Sequence, residues 1–233
     1  MSTNSENNSL SAKVIYDLTT FTHLDYTNHL ACIVWFSGCN MRCGYCYNKD
    51  IVFAKDGKYS YNDILDFLKT RVNLLEAVVL SGGEATSHNL VEFCKEIKKL
   101  GFKIKLDTNG TNFKQIKELL DLTLLDFIAL DYKAPKTKFT PITHSNKFDE
   151  FSKTMDLLLE SSIEFEVRTT LHTDLLSEND INEIILDLAK RGYKTPYYIQ
   201  EFRDTGSNIG NLKTSKNRFD KSLLHTNIEI IFR

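Results

Sequence analysis

The sequence predicts an α/β fold built on parallel strands: a partial (β/α)6 TIM-like barrel or, on the same evidence, an open doubly wound sheet. Three observations carry that prediction. Short apolar runs alternate with amphipathic segments at helical spacing. Strict alternation of this kind implies helical crossovers, and such crossovers join parallel strands. Every unusual polar cluster falls directly after a strand, the face on which both architectures bind ligands.

The elements follow in order. ACIVWF (31–36) reads as a buried strand, and a helix is expected over 60–72. There Ser60 can act as cap, Asp63 sits three positions on, and Ile64, Leu65, Phe67 and Leu68 recur at helical spacing. AVVL (77–80) is the second strand and runs into SGGE. The helix over 88–100 places Leu90, Val91, Cys94 and Ile97 on one face, with Gly101 as its stop. FKIKL (102–106) is a strand ending at DTNG. A helix over 112–122, the strand FIAL (127–130) and the turn DYKAP come next, with a short helix expected near 140. A helix over 148–160, the strand FEVRTTL (165–171), a capped helix over 177–192 and the strand YYIQ (197–200) complete the alternation.

At 233 residues, 42% hydrophobic and 26% charged, the chain can bury a sizeable core. No repeat or linker divides it, so 13–233 reads as a single domain and the polar stretch 1–12 as a disordered tail. With 29 basic against 31 acidic residues, the net charge of −2 gives no electrostatic reason to expect nucleic acid or an anionic membrane as partner. No apolar run suits a signal peptide or a membrane span. Five cysteines, three crowded and two isolated, do not form a secreted disulfide framework and point to a reducing cytoplasm.

The crowded three, Cys39, Cys43 and Cys46, lie in SGCNMRCGYCYN (37–48). Structural zinc wants four closed ligands, and no second pair exists here. Cys32 lies inside a strand and Cys94 on an apolar helix face, where free cysteines serve as small hydrophobes. Iron–sulfur chemistry fits better. Such clusters are normally held by four thiolates, and three would leave one iron open to another ligand. Glu84, Asp107 and Asp131 lie in turns that follow strands, and Arg168 falls in the run Arg168 to His172 that ends one. Singly each is an ordinary loop residue; jointly they argue for a binding site on one rim.

CxxxCxxC with an aromatic residue before its last cysteine resembles the radical S-adenosylmethionine (SAM) superfamily. There, three cysteines hold a [4Fe–4S] cluster and SAM chelates the fourth iron through its amino and carboxylate groups. FTHLDYTNHLACIVWFSGCNMRCGYCYN, VVLSGGEAT, KLDTNG, ALDYKAP and VRTTLH extend the resemblance from residue 21 to about 172. They narrow it to activating enzymes of glycyl radical enzymes, above all those of anaerobic ribonucleotide reductase. Ala85 departs from the family's usual proline, and Thr27-Asn28 from a frequent Pro-Gly.

The resemblance implies the roles. Cys39, Cys43 and Cys46 would hold the cluster, Tyr45 would lie against the adenine, and Gly82, Gly83 and Glu84 would bind the SAM amino group. Asp107, Thr108 and Asp131, with the backbone of Tyr132, would form a monovalent cation site beside the SAM carboxylate, as pyruvate formate-lyase activases suggest. Lys133, Arg168 and His172 would contact the methionyl or ribose portions, although His172 reads equally well as a loop histidine. Electron transfer into the sulfonium would release methionine and a 5′-deoxyadenosyl radical, which takes hydrogen from a glycine Cα of the partner. No side-chain acid or base is required.

The expected partners are a glycyl radical enzyme, foremost anaerobic ribonucleotide reductase, and a flavodoxin- or ferredoxin-type electron donor. The polar segment 201–219 is expected either to border the site's mouth or to lie as a disordered surface loop. Three alternatives stand beside this reading: a pyruvate formate-lyase-type activase, a small-molecule enzyme such as a 7-carboxy-7-deazaguanine synthase, and a non-enzymatic metal-binding or electron-carrier module.

Overall fold

The computed structural model describes residues 10–233, so the tail expected at 1–12 lies, but for its last three residues, outside them. Among the described residues, eight strands follow one another in the sheet in chain order, and the sheet ends at its first and last strands rather than closing. The fold is an α/β partial barrel. The chain divides into two compact units, the first drawn from residues up to Asn40, Asp50–Thr108 and Asn112–Ile128, the second from Met41–Lys49, Asn109–Thr111 and Ala129–Arg233.

In the first unit, β1 (Ile15–Thr22) runs antiparallel to β2 (Ala31–Phe36), while β2, β3 (Ala77–Gly82) and β4 (Lys103–Thr108) are parallel. Register aligns Ile33 with Val79 and Val79 with Lys105, and Trp35 with Ser81. Side chains two apart on a strand share a face, so Ile33 and Trp35 line one side together. On that side Tyr26, Ala31, Ile33, Ala77 and Val79 form a buried cluster, with Trp35 and Phe127 packed against it. Burying each large apolar side chain of this kind stabilises by about 1.5–3 kcal/mol. The helices are α1 (Lys49–Phe53), α2 (Tyr61–Lys69), α3 (Val91–Lys99) and α4 (Phe113–Asp121). Ser60 caps α2 in a reciprocal capping box with Asp63, as its sequence suggested.

Strand β5 (Phe127–Asp131) leads into the second unit, which holds β6 (Glu164–Leu171), β7 (Tyr197–Glu201) and β8 (Ile230–Phe232), the last three parallel. Its helices are α5 (Lys136–Thr143), α6 (Phe148–Glu160) and α7 (Glu178–Lys190). Tyr132, Phe139, Phe148 and Phe151 stack among themselves, with ring centroids of Tyr132 and Phe151 4.6 Å apart.

The six predicted strands are β2 to β7, and the short helix near 140 is α5. The reading of strict alternation missed β1, β8 and α1. IYDLTTFT buries only its two ends and lacks the apolar run that marked the other strands, while β8, apolar throughout, has only three half-buried residues and is too short to stand out. Five-residue α1 is too short to display a helical period. No helix among the described residues is long and apolar enough to cross a membrane.

Candidate cofactor site

In the first unit the SGGE turn is built against the residues that precede Cys39. Gly83 donates to the Phe36 carbonyl at 2.9 Å, and Glu84 donates to that of Gly38 at 2.9 Å. A Cβ on Gly83 would collide with the Gly38 carbonyl, and one on Gly82, at φ +120°, with the backbone of Phe36. Only glycine permits that backbone-on-backbone approach. His88 Nε2 stands 2.7 Å from the Ser37 carbonyl and braces the same stretch.

The turn ends in a carboxylate that is 2% exposed. Glu84 Oε1 accepts from the Thr86 amide at 3.2 Å, the Thr86 hydroxyl at 2.7 Å and the Thr108 hydroxyl at 2.8 Å. Asn112 in turn donates to the Thr86 carbonyl. A buried carboxylate held by donors from the turn after β3 and from the last residue of β4 is a fixed negative charge, and it suits an ammonium ligand. Thr86 went unremarked in the sequence; its signal is the Ser/Thr two residues after a turn glutamate, the spacing of a side-chain-capped turn. Asp107, on β4, accepts from Ser81 Oγ at 3.1 Å and forms an ion pair of 3.0 Å with Lys105, a second residue the sequence reading passed over.

In the second unit, Cys43 and Cys46 close a tight turn through a 3.0 Å bond from the Cys46 amide to the Cys43 carbonyl. The loop is held from two sides. Arg42 and Gly44 donate to the Thr143 and Ile142 carbonyls at the end of α5, while Ile209 and Gly210 donate to the Cys46 and Gly44 carbonyls. Burial pushes the Cys43 thiol up to about 11, so iron must displace its proton when it binds. Cys32 and Cys94 are buried and likewise pushed up to about 12, the inert state expected of small hydrophobes. Tyr45, in the same turn, is buried.

Asp131 receives Arg168 Nε at 2.6 Å and Lys133 Nζ at 2.8 Å. Burial works to raise its carboxyl, but the two cations outweigh that and hold it at about 2. Lys133 is opposed by burial and held well above its ordinary value by Asp131. His172 is 1% exposed, donates from Nε2 to the Lys213 carbonyl at 2.9 Å and accepts the Asp174 amide at Nδ1. Asp174 also accepts from the Lys216 and Asn217 amides, and Asn208 ties its own turn to Leu212 in both directions. Residues 207–217 are therefore a hydrogen-bonded strap across the Cys43–Cys46 turn.

Among the described residues no three His, Cys, Asp or Glu side chains are gathered closely enough to hold a single metal ion. A [4Fe–4S] cluster makes a different demand, spreading its thiolates over separate irons. The residues fit such a cluster and SAM by their chemistry: three cysteine thiols in one short loop outside any disulfide, and a fixed carboxylate on a turn that excludes any Cβ.

Residues 33–189 match the Radical SAM superfamily, and the chain belongs to it. It is an enzyme, and its cofactors are a [4Fe–4S] cluster and SAM. Within that class it is 34% identical over 181 residues to a protein of Methanocaldococcus jannaschii provisionally named a glycyl-radical enzyme activating enzyme, covering 73% of this chain and 72% of that protein. A 7-carboxy-7-deazaguanine synthase of Buchnera aphidicola subsp. Schizaphis graminum is 28% identical over 168 residues, 63% of this chain and 74% of that one. The structure of native anSMEcpe with bound AdoMet has a TM-score of 0.60 at 18% identity, covering 72% of this chain and 50% of that one. At that identity the likeness is one of fold.

Proposed function

We propose that this enzyme is an activase that generates a glycyl radical on a partner enzyme, and that the partner is anaerobic ribonucleotide reductase. The 34% identity over 181 residues to the archaeal activating enzyme is the observation that supports it best. The choice of reductase rests on the resemblance of the strand-end motifs, KLDTNG, ALDYKAP and VRTTLH among them.

Cys39, Cys43 and Cys46 are the thiolates for the cluster. When bound, the reduced cluster and SAM supply one-electron chemistry that ends in removal of a glycine Cα hydrogen. The chain's own residues bind and orient. Glu84, immobilised by Thr86 and Thr108, receives the ammonium of SAM; Gly82 and Gly83 bring backbone to it without side-chain interference. Tyr45 offers its buried hydroxyl, and Arg168 and Lys133, both held by Asp131, supply the cations that face a carboxylate. His172, with both ring nitrogens on backbone, holds the 207–217 strap rather than a ligand. The cytoplasm, where thiols stay reduced, is the compartment, and a flavodoxin- or ferredoxin-type protein is the electron donor.

The test is anaerobic incubation of reconstituted protein with SAM, a reductant and the reductase. A glycyl radical signal by electron paramagnetic resonance is expected. A signal on pyruvate formate-lyase alone would move the partner, and SAM cleavage with neither would favour the small-molecule reading that the deazaguanine synthase likeness keeps open.

A further inference from the structure

The monovalent cation that the resemblance implies at Asp107, Thr108 and Asp131 does not fit the residues as they stand. Each side chain expected to ligate it already has a partner from the chain. In the first unit, Asp107 pairs with Lys105 and accepts from Ser81, and the Thr108 hydroxyl donates to Glu84. In the second, Asp131 carries two cations, Arg168 and Lys133. A further cation brought to either carboxylate meets positive charge instead of a bare anion.

Lys105 is the unusual member. Its side chain is 6% exposed and that of Asp107 13%, so this is a buried pair, not a surface one. Lys105 and Asp107 are two apart on β4 and therefore share a face of the sheet. The ammonium is held from a second direction by the Asp25 carbonyl at 2.5 Å, and the Phe127 ring lies 6.0 Å away. Asp25 is itself anchored to the Thr22 hydroxyl. An ammonium with two oxygen partners and an aromatic face beside it is an equipped cation site whose cation is covalently attached.

We propose that Lys105 is a tethered counter-cation for Asp107, doing within the chain what a free monovalent cation would otherwise do, so that SAM binding needs no sodium or potassium. Lys105 is on this account a positioning residue: it fixes the charge and direction of Asp107 and touches no cofactor. The inference rests on the proposed placing of Asp107 at the SAM site.

The experiment compares anaerobic, cluster-loaded wild type and Lys105→Met in potassium chloride and in tetramethylammonium chloride of equal ionic strength. SAM affinity is read by calorimetry, and the melting midpoint of each protein without SAM is read by circular dichroism. Wild type should bind SAM equally well in both salts, within about twofold, and melt at the same temperature in both. Lys105→Met, which removes that ion pair, should bind SAM at least about tenfold more weakly without potassium, and potassium should raise both its affinity and its midpoint. The double variant Lys105→Met/Asp107→Asn, which buries no charge, should again ignore potassium. A wild type that needs potassium to bind SAM, or a folded Lys105→Met indifferent to it in both readouts, overturns the proposal. Should Lys105→Met not fold, the wild-type arm and the double variant still decide it. Failure of wild type to bind SAM in either salt would strike the radical SAM site reading instead, and the melting comparison would still judge the counter-cation.

Discussion

Glu84 shows how a single residue acquires a function from its neighbours. A solvated turn glutamate is an ordinary thing; here burial to 2% and three donors to one oxygen make it a fixed charge. Replacing Glu84 by Ala removes that acceptor, and hydrogen bonds to charged groups contribute about 1.5–3 kcal/mol each. SAM affinity should therefore fall at least about tenfold by calorimetry on anaerobic protein, with iron content unchanged. The cysteines separate in the same way. Cys43→Ala should lose iron and acid-labile sulfide together, whereas Cys94→Ala, on the buried face of α3, should keep both. Equal iron in the two variants would contradict the assignment. The three cysteines and Glu84 were legible as site candidates because each is a conspicuous residue type in the loop after a strand, and Arg168 because it begins the polar run that ends β6. Lys105 was not, because its second partner, the Asp25 carbonyl, is supplied by the folded chain; Thr86 showed the spacing of a capped turn but not that Thr108 would join it on Glu84.

Helix α7 shows what a cap contributes at the scale of an element. Ser177 and Asp180 form a reciprocal capping box, and Asp180 also receives Lys138 at 2.7 Å from α5. Burial works to raise the Asp180 carboxyl, but the bonds from Lys138 and Ser177 outweigh it and hold it below its ordinary 3.8. A carboxyl lowered on folding contributes stability that is present above its unfolded value and lost as pH falls through its folded value. Asp180→Asn keeps a capping oxygen and loses the charge, so it should cost about 1 kcal/mol in urea unfolding at neutral pH. That difference should shrink once the pH drops below about 4; a difference that persists or grows in acid would rule the ion pair out as its source. The 207–217 strap is a second element-scale device, tied by Asn208 to Leu212 and by backbone to the Cys43–Cys46 turn. Asn208→Ala should loosen it, and the cluster's visible absorbance should bleach faster in air than in the wild type.

At the scale of the whole chain, the architecture was legible because six of the eight strands are apolar runs bounded by turn residues, and the helices between them carry caps and periodic faces. The two terminal strands escaped notice for different reasons. Edge strand β1 is only half covered, so it carries no continuous apolar run and, being antiparallel, lies outside the βα alternation, whereas β8 is apolar but only three residues long. Most candidate side chains lie at or beyond the C-terminal end of a strand, where βα alternation places its loops, while Arg168 lies inside β6. Because the cluster would keep an iron open for SAM, oxygen should inactivate the loaded enzyme; glycyl radical yield after brief exposure to air measures it.

The sequence by itself determined the class of this protein: an α/β chain of parallel strands, three thiols in one short loop, and a glycine-glycine-glutamate turn, all of them local patterns readable within a few residues of one another. What only the tertiary structure decided is which charges meet. Thr86 and Thr108 converge on Glu84, Lys105 bridges Asp107 and the Asp25 carbonyl, Arg168 and Lys133 divide Asp131, and the strap crosses the cysteine turn. Most of these partners lie tens of residues apart, and strand register and loop closure bring them together. A local pattern can announce that a charge is present; the folded chain alone supplies the charge that answers it.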